Sequence, residues 1–244
     1  MTNVAAMDLG IDETGFSIVN QVDTSVMDVE RIQIGIPVLD SLFGDKGLMP
    51  SSVTTVCAPA GCGKTTLLLQ MLDAIVLNNP DINVGYISGE EAVEQLAYNA
   101  KRIGVKHVQV ANMSDVDKIC DVVLTKFQVV VVDSFQCLTS KLVKGKAKTQ
   151  LYSIARLTKA AKASRCIVFN ICHLTKDGKI KGDSTVIHAV DATLQIYKGS
   201  TEDYGHDQAR TIEVGKNRFG RTGQVTLRMT DRGYDFSTEI GKKD

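Results

Sequence analysis

Apolar and polar positions along this chain follow two periods, and the change between them divides it. Through the first two-thirds, short apolar or β-branched runs alternate with stretches whose apolar positions recur every three to four residues. The runs at 53–56, 84–87, 129–132 and 166–172, with a shorter one at 108–110, predict strands. Val129-Val130-Val131-Val132 holds no polar position, which suits a central parallel strand buried on both faces. Helical spacing is carried by Leu67, Leu68, Met71, Leu72, Ile75 and Val76, and again by Ala92, Val93, Leu96, Ala97, Ala100 and Ile103. Asn78-Asn79-Pro80 ends the first of these helices. Residues 114–126 predict a helix opened by Ser114 and Asp115, and 136–163 a loop followed by a helix. A short amphipathic turn within 34–50, punctuated by Gly44, Gly47 and Pro50, leads into the strand at 53. From about 186 onward strand patterns run together at 192–197, 211–214 and 225–229, with turns at Gly199, Gly205, Gly220 and Gly223. The expectation is an α/β fold: a mostly parallel central sheet, helices on both faces, and an antiparallel C-terminal extension.

Between the strand at 53–56 and its helix lies a loop of small residues, Ala58-Pro59-Ala60-Gly61-Cys62-Gly63, followed by Lys64, Thr65 and Thr66. Strand, glycine-rich loop, Lys-Thr and helix form the context of a phosphate-binding loop. Small side chains let backbone N–H groups converge on phosphate oxygens, and the helix N-terminus adds partial positive charge. Lys64 is expected to reach the outer phosphates of ATP, and the Thr65 hydroxyl to bind Mg²⁺. Ala58 stands where the pattern has glycine, which is tolerable only if its φ stays negative.

Composition narrows the setting. The 244 residues fit one large α/β domain with short extensions, and formal net charge is zero. A nucleic-acid site must then be a local basic patch. No apolar run approaches the ~20 residues of a membrane span, and no secretion signal is recognisable at the N-terminus. None of the six cysteines forms a C-x-x-C pair, which argues against zinc. A reducing cytoplasm is the expected compartment. Cys62 lies inside the phosphate loop as a candidate for oxidation, with a filler role preferred. Residues 1–30 are acidic and hold no Lys or Arg. They are expected to be an appended arm, either a mobile terminus or a tether to a neighbouring subunit.

Further candidates sit at strand ends, where α/β sheets place their ligands. Asp133 closes the valine run and fits a Mg²⁺ ligand. Glu90 and Glu91 follow the strand at 84–87. Glu90 is expected to activate the attacking water, with Glu91 as its orienter; the alternative makes both first-turn helix acids. His173 ends the strand at 166–172 and is expected to sense the terminal phosphate; the alternative is a core histidine. Two lysine-rich loops follow neighbouring strands: Lys141, Lys144, Lys146 and Lys148, then Lys176, Lys179 and Lys181. Lysines interleaved with glycine suit a phosphate backbone, although neither loop offers an aromatic to stack on bases.

The segments PVLDSLFGDKGLMPSSVTTVCAPAGCGKTTLLLQ, YISGEE, VVVVDSFQ, CHLTKDGKIKGDSTVIHAVDATLQI and KNRFG stand here in that order. Together they resemble the RecA-type ATPase core of the RadA/Sms recombination proteins over about residues 31–236, and KNRFG at 216–220 is the most specific of them. The resemblance implies a RecA-like P-loop NTPase fold, ATP with Mg²⁺, single-stranded DNA as partner and a homo-oligomeric ring of six subunits. By the same resemblance Lys216 and Arg218 would act on the ATP of a neighbouring subunit; the alternative is a basic turn between strands. That family begins with a four-cysteine zinc module and ends with a Lon-protease-like domain; these 244 residues hold no C-x-x-C pair, and the expectation is a short form that resembles the RecA-core proteins of bacteriophages. The expected organisation is an arm at 1–30, the core at 31–236 and a tail at 237–244. The expected activity is a DNA-dependent ATPase, a helicase or branch-migration motor in recombination, repair or replication. The alternatives are an ATP-switched protein that coats or anneals single strands, and a regulatory ATPase resembling KaiC that does not use DNA.

Overall fold

The computed structural model describes residues 19–25, 31–44, 46–173, 188–199 and 208–241. Nine strands form one sheet in the order β3-β2-β4-β5-β1-β6-β7-β8-β9. The strands are β1 (Val53–Ala58), β2 (Val84–Ser88), β3 (Gln109–Asn112), β4 (Val129–Asp133), β5 (Ile167–His173), β6 (Ala192–Lys198), β7 (Ala209–Asn217), β8 (Gly223–Thr230) and β9 (Gly233–Glu239). The first six pair in parallel, and β6 to β9 pair antiparallel. The helices are α1 (Pro37–Leu42), α2 (Lys64–Asn78), α3 (Val93–Arg102), α4 (Val116–Lys118) and α5 (Lys146–Ser164).

The valine run explains the layering. Successive strand side chains point to opposite faces. Val129 and Val131 pack with Leu67, Leu68, Leu72 and Leu96 of α2 and α3. Val130 and Val132 pack with Val116, Ile154 and Leu157 of α4 and α5. All four valines are buried, each worth about 1.5–3 kcal/mol on transfer from water. An all-apolar strand is therefore stable only between two helical layers. On β7, by contrast, only Ala209, Ile212 and Val214 are buried, so the extension has one wet face.

Three elements differ from the sequence reading. The helix expected over 114–126 is α4 continued by a π-helical turn, Ile119–Val123, and Asp115 rather than Ser114 caps it by accepting from the Asp117 and Lys118 amides. Lys146 and Lys148 belong to the first turn of α5, not to a loop; Lys141 and Lys144 lie in the loop before it. β9 was not expected, and it carries the sheet to Glu239, past residue 236. GYDFSTE has no apolar run, and its two aromatics find their place only against the rest of the fold. No helix of the described residues is long and apolar enough to cross a membrane.

Candidate active site

The parallel strands bring their carboxyl ends to one edge, and register sets what meets there. Ser88 pairs with Asp133, and Ala58 with His173. The loop after β1, the turn after β2 and the ends of β4 and β5 therefore converge. Ala58 is the last residue of β1 and is not among the residues with positive φ, so the missing glycine costs no strain. Within the loop Gly61 and Gly63 take φ of 72° and 89°, the left-handed region that glycine alone enters freely. Pro59, Ala60 and Gly61 are exposed, while Cys62 is buried at 1% exposure and packs into the core. That supports the filler role of Cys62 and removes it from the surface an oxidant would reach. Thr65 and Thr66 occupy the first turn of α2.

Lys64 donates from Nζ to the carbonyls of Ala58, at 3.0 Å, and Pro59, at 3.2 Å. Burial lowers its ammonium pKa despite the negative field of Asp133. Asp133 is 7% exposed and accepts at Oδ2 from the hydroxyl of Tyr86, at 2.6 Å. Burial raises its carboxyl, and the tyrosine bond opposes that shift. Tyr86 thus holds one of the two expected Mg²⁺ ligands, Asp133. A buried tyrosine within an apolar strand gives no sequence sign of this role.

Glu90 and Glu91 both lie outside the helix. α3 begins at Val93, has Ala92 at its N-cap position donating its amide to Gln95 Oε1, and has Glu94 as its first-turn acid. The Glu90 carboxylate accepts at Oε1 from Ser134 Oγ, from Cys137 Sγ at 3.0 Å, and faces His173 Nε2 at 3.0 Å. Burial alone would raise this carboxyl, but the three hydrogen bonds outweigh it and hold it at about 2. Ser134, Cys137 and His173 thus orient Glu90, the part expected of Glu91. Glu91 has a buried Oε2 that makes no hydrogen bond, and burial beside Asp133 and Glu90 raises its carboxyl. His173 is one-third exposed and is no core histidine. Its backbone N–H donates to Gln136 Oε1 at 3.2 Å.

The donor set suits the expected ligands. Thr65 and Asp133 offer the hard oxygen ligands that Mg²⁺ takes, and ligand atoms of Glu90, Asp133 and His173 lie within 4.8 Å of one another. A side chain added at Gly61 would meet nothing within 4 Å, so the loop's outer side has room for phosphate.

Two other expected groups lie elsewhere. Lys141, Lys144, Lys146 and Lys148 are exposed on the segment that follows the 3₁₀ turn Phe135–Cys137, a few residues beyond Glu90's partner Cys137. Lys176, Lys179 and Lys181 fall outside the described residues. Lys216, next to the last residue of β7, donates to the Val190 carbonyl at 2.6 Å, while Arg218 pairs with Asp191 at 3.2 Å. Lys216 pairs with Thr193 and Thr193 with Thr55, three residues before the strand end at Ala58. Both cations are therefore displaced toward the amino edge of the sheet, by about 10 Å along the strands.

Against known proteins, residues 21–179 match the family model of an AAA domain. The chain is 30% identical over 228 residues to DNA repair protein RadA of Haemophilus influenzae, covering 91% of this chain and 48% of that protein. It is 32% identical over 213 residues to DNA repair protein RadA of Aquifex aeolicus, covering 84% and 46%. With DNA repair protein RadA of Mycobacterium tuberculosis the identity is 33% over 226 residues, covering 88% and 45%. The chain spans about half the length of these curated relatives. A solved ATPase domain superposes with a TM-score of 0.69 at 14% identity, covering 89% of this chain and 93% of its own, which is a likeness of fold.

Proposed function

The chain belongs to the AAA domain family and has a RadA-like, RecA-type core, and from that premise we propose that it is a DNA-dependent ATPase acting in recombination, repair or replication. The observation that carries this reading is the meeting of Lys64, Asp133, Glu90 and His173 at one sheet edge, with an exposed lysine segment joined to that edge through Cys137. In this account Ala58–Thr66 cradle the phosphates of ATP, and Lys64 leaves its carbonyl partners for the outer phosphates. Thr65 and Asp133 would hold Mg²⁺, which would supply charge neutralisation to the phosphates. Phosphoryl transfer needs positioning more than proton chemistry. A carboxylate held at about 2 is a weak base, so Glu90 acts chiefly by orienting the attacking water. His173 touches Glu90 and borders the segment that holds Lys176, so loss of the terminal phosphate is read there.

Lys141, Lys144, Lys146 and Lys148, with Lys176, Lys179 and Lys181, contact the backbone of single-stranded DNA. The working form is a ring, six subunits in this reading, with Lys216 and Arg218 completing the neighbour's site. The test is strand separation on forked and four-way DNA with ATP. Unwinding or branch migration supports the motor; ATP-controlled annealing with neither supports the coating alternative.

A further inference from the structure

We propose that Tyr234, on the last strand of the sheet, is a positioning residue of the nucleotide site. It holds the Cys62–Gly63 peptide so that the Gly63 amide is aimed at phosphate. The inference rests on Ala58–Thr66 being the phosphate loop and adds to it a support from the far end of the chain.

The Tyr234 hydroxyl donates to the Cys62 carbonyl at 2.9 Å, and both residues are buried, at 4% and 1% exposure. Among the described residues the one cis peptide is Asp133–Ser134, so the Cys62–Gly63 bond is trans. In a trans peptide the carbonyl and the following N–H point in opposite directions. Fixing the Cys62 carbonyl toward the C-terminal hairpin therefore turns the Gly63 N–H away from it, to the loop's open side. Contact follows the same path. A side chain at Gly63 would come within 2.9 Å of Met229 Cε and 3.0 Å of the Tyr234 hydroxyl. The loop thus rests directly on β8 and β9.

The tyrosine is itself held. Gln70 of α2 donates from Nε2 to the Tyr234 carbonyl at 3.2 Å and accepts from the Tyr234 amide at 2.8 Å. Gly233, with φ of 96°, lies so close that an added Cβ would meet Gln70 Oε1 at 2.5 Å. The helix that begins at the phosphate loop therefore grips the backbone of the residue whose side chain grips the loop. Phenylalanine would preserve the ring packing and remove only the bond to Cys62, so the two contributions separate cleanly.

The experiment compares the full chain with Tyr234→Phe, measuring KM for ATP, kcat, the Kd of ADP and the thermal midpoint. Loss of one aiming hydrogen bond should raise KM and the ADP Kd about 3–10-fold and leave kcat within about twofold. A lower midpoint with unchanged KM and Kd would mean a structural role only and overturns the inference, as does a fall in kcat at constant KM. Gln70→Ala, which frees the Tyr234 backbone without touching the loop, is the second variant. A raised KM there supports the anchor, and an unchanged KM in every folded variant rejects it. Wild-type protein that binds neither ATP nor ADP refutes the phosphate-loop reading; normal wild-type binding with an unaffected Tyr234→Phe refutes the anchor alone.

Discussion

Glu90 and Glu91 are neighbours in sequence with opposite surroundings. Three hydrogen bonds hold Glu90 ionised, whereas burial next to two acids raises the Glu91 carboxyl. Glu90→Gln is predicted to bind ATP but to hydrolyse it at least about 10²-fold more slowly, because the amide replaces the charge that orients water. Near-normal turnover in Glu90→Gln with a dead Glu91→Gln would reverse the two roles. The depressed Glu90 value also has a stability consequence. Its stabilisation is fully present above the ordinary 4.5 and is lost as pH falls toward about 2. The stability gap between wild type and Glu90→Gln should therefore narrow between pH 4.5 and 2; a constant gap in chemical or thermal unfolding would contradict the network. Sequence made the two glutamates, Asp133 and Lys64 visible as chemistry. It left Tyr86, Ser134, Cys137 and Tyr234 hidden, since each is an ordinary residue until strand register or the C-terminal hairpin puts its polar atom on a residue of the candidate site.

Among the elements, α5 has a feature that folding alone does not favour. Its first turn carries Lys146 and Lys148 and no acid, its N-cap is Gly145, and no side chain caps it. Cations there oppose the helix dipole by about 0.3–1 kcal/mol each. Lys146→Glu should therefore leave the fold as stable or slightly more so, and yet weaken binding to DNA. A matching loss of stability and binding would assign this lysine to the fold instead. Neutralising Lys144, Lys146 and Lys148 should also flatten the log–log salt dependence of single-strand binding by roughly 0.7 per lost phosphate contact; an unchanged slope would make the segment plain surface. The same element shows where periodicity misleads. The lysines read as a loop because glycine and lysine carry no apolar period, although the helix starts among them. β4 was legible in full because a strand buried on both faces has a pattern of its own. β9 was not, because it is held by pairing with β8 and by Gln70 on α2, more than 160 residues earlier.

For the whole molecule, the proposal that Lys216 and Arg218 act between subunits is compatible with their placement. Strand register sets them toward the opposite edge from their own phosphate loop. Asp191 anchors Arg218 while also accepting from the Val53 amide at 3.0 Å, so Arg218→Ala leaves that carboxylate a partner. Arg218 is half exposed but Asp191 is buried, so losing the pair costs the fold about 1–3 kcal/mol and co-assembly of the variant must be shown first. Mixing inactive Lys64→Ala with inactive Arg218→Ala should restore partial ATPase activity in mixed rings, and a mixture that stays dead after proven co-assembly would refute the shared site. All of this presupposes that nucleotide turnover answers to DNA. Steady-state ATP hydrolysis, measured with and without single-stranded DNA over a range of salt, tests that most directly. The rate should rise with DNA, return toward the basal value as salt is raised and disappear in Lys64→Ala; a wild-type rate identical with and without DNA at every salt concentration would refute DNA-dependent turnover.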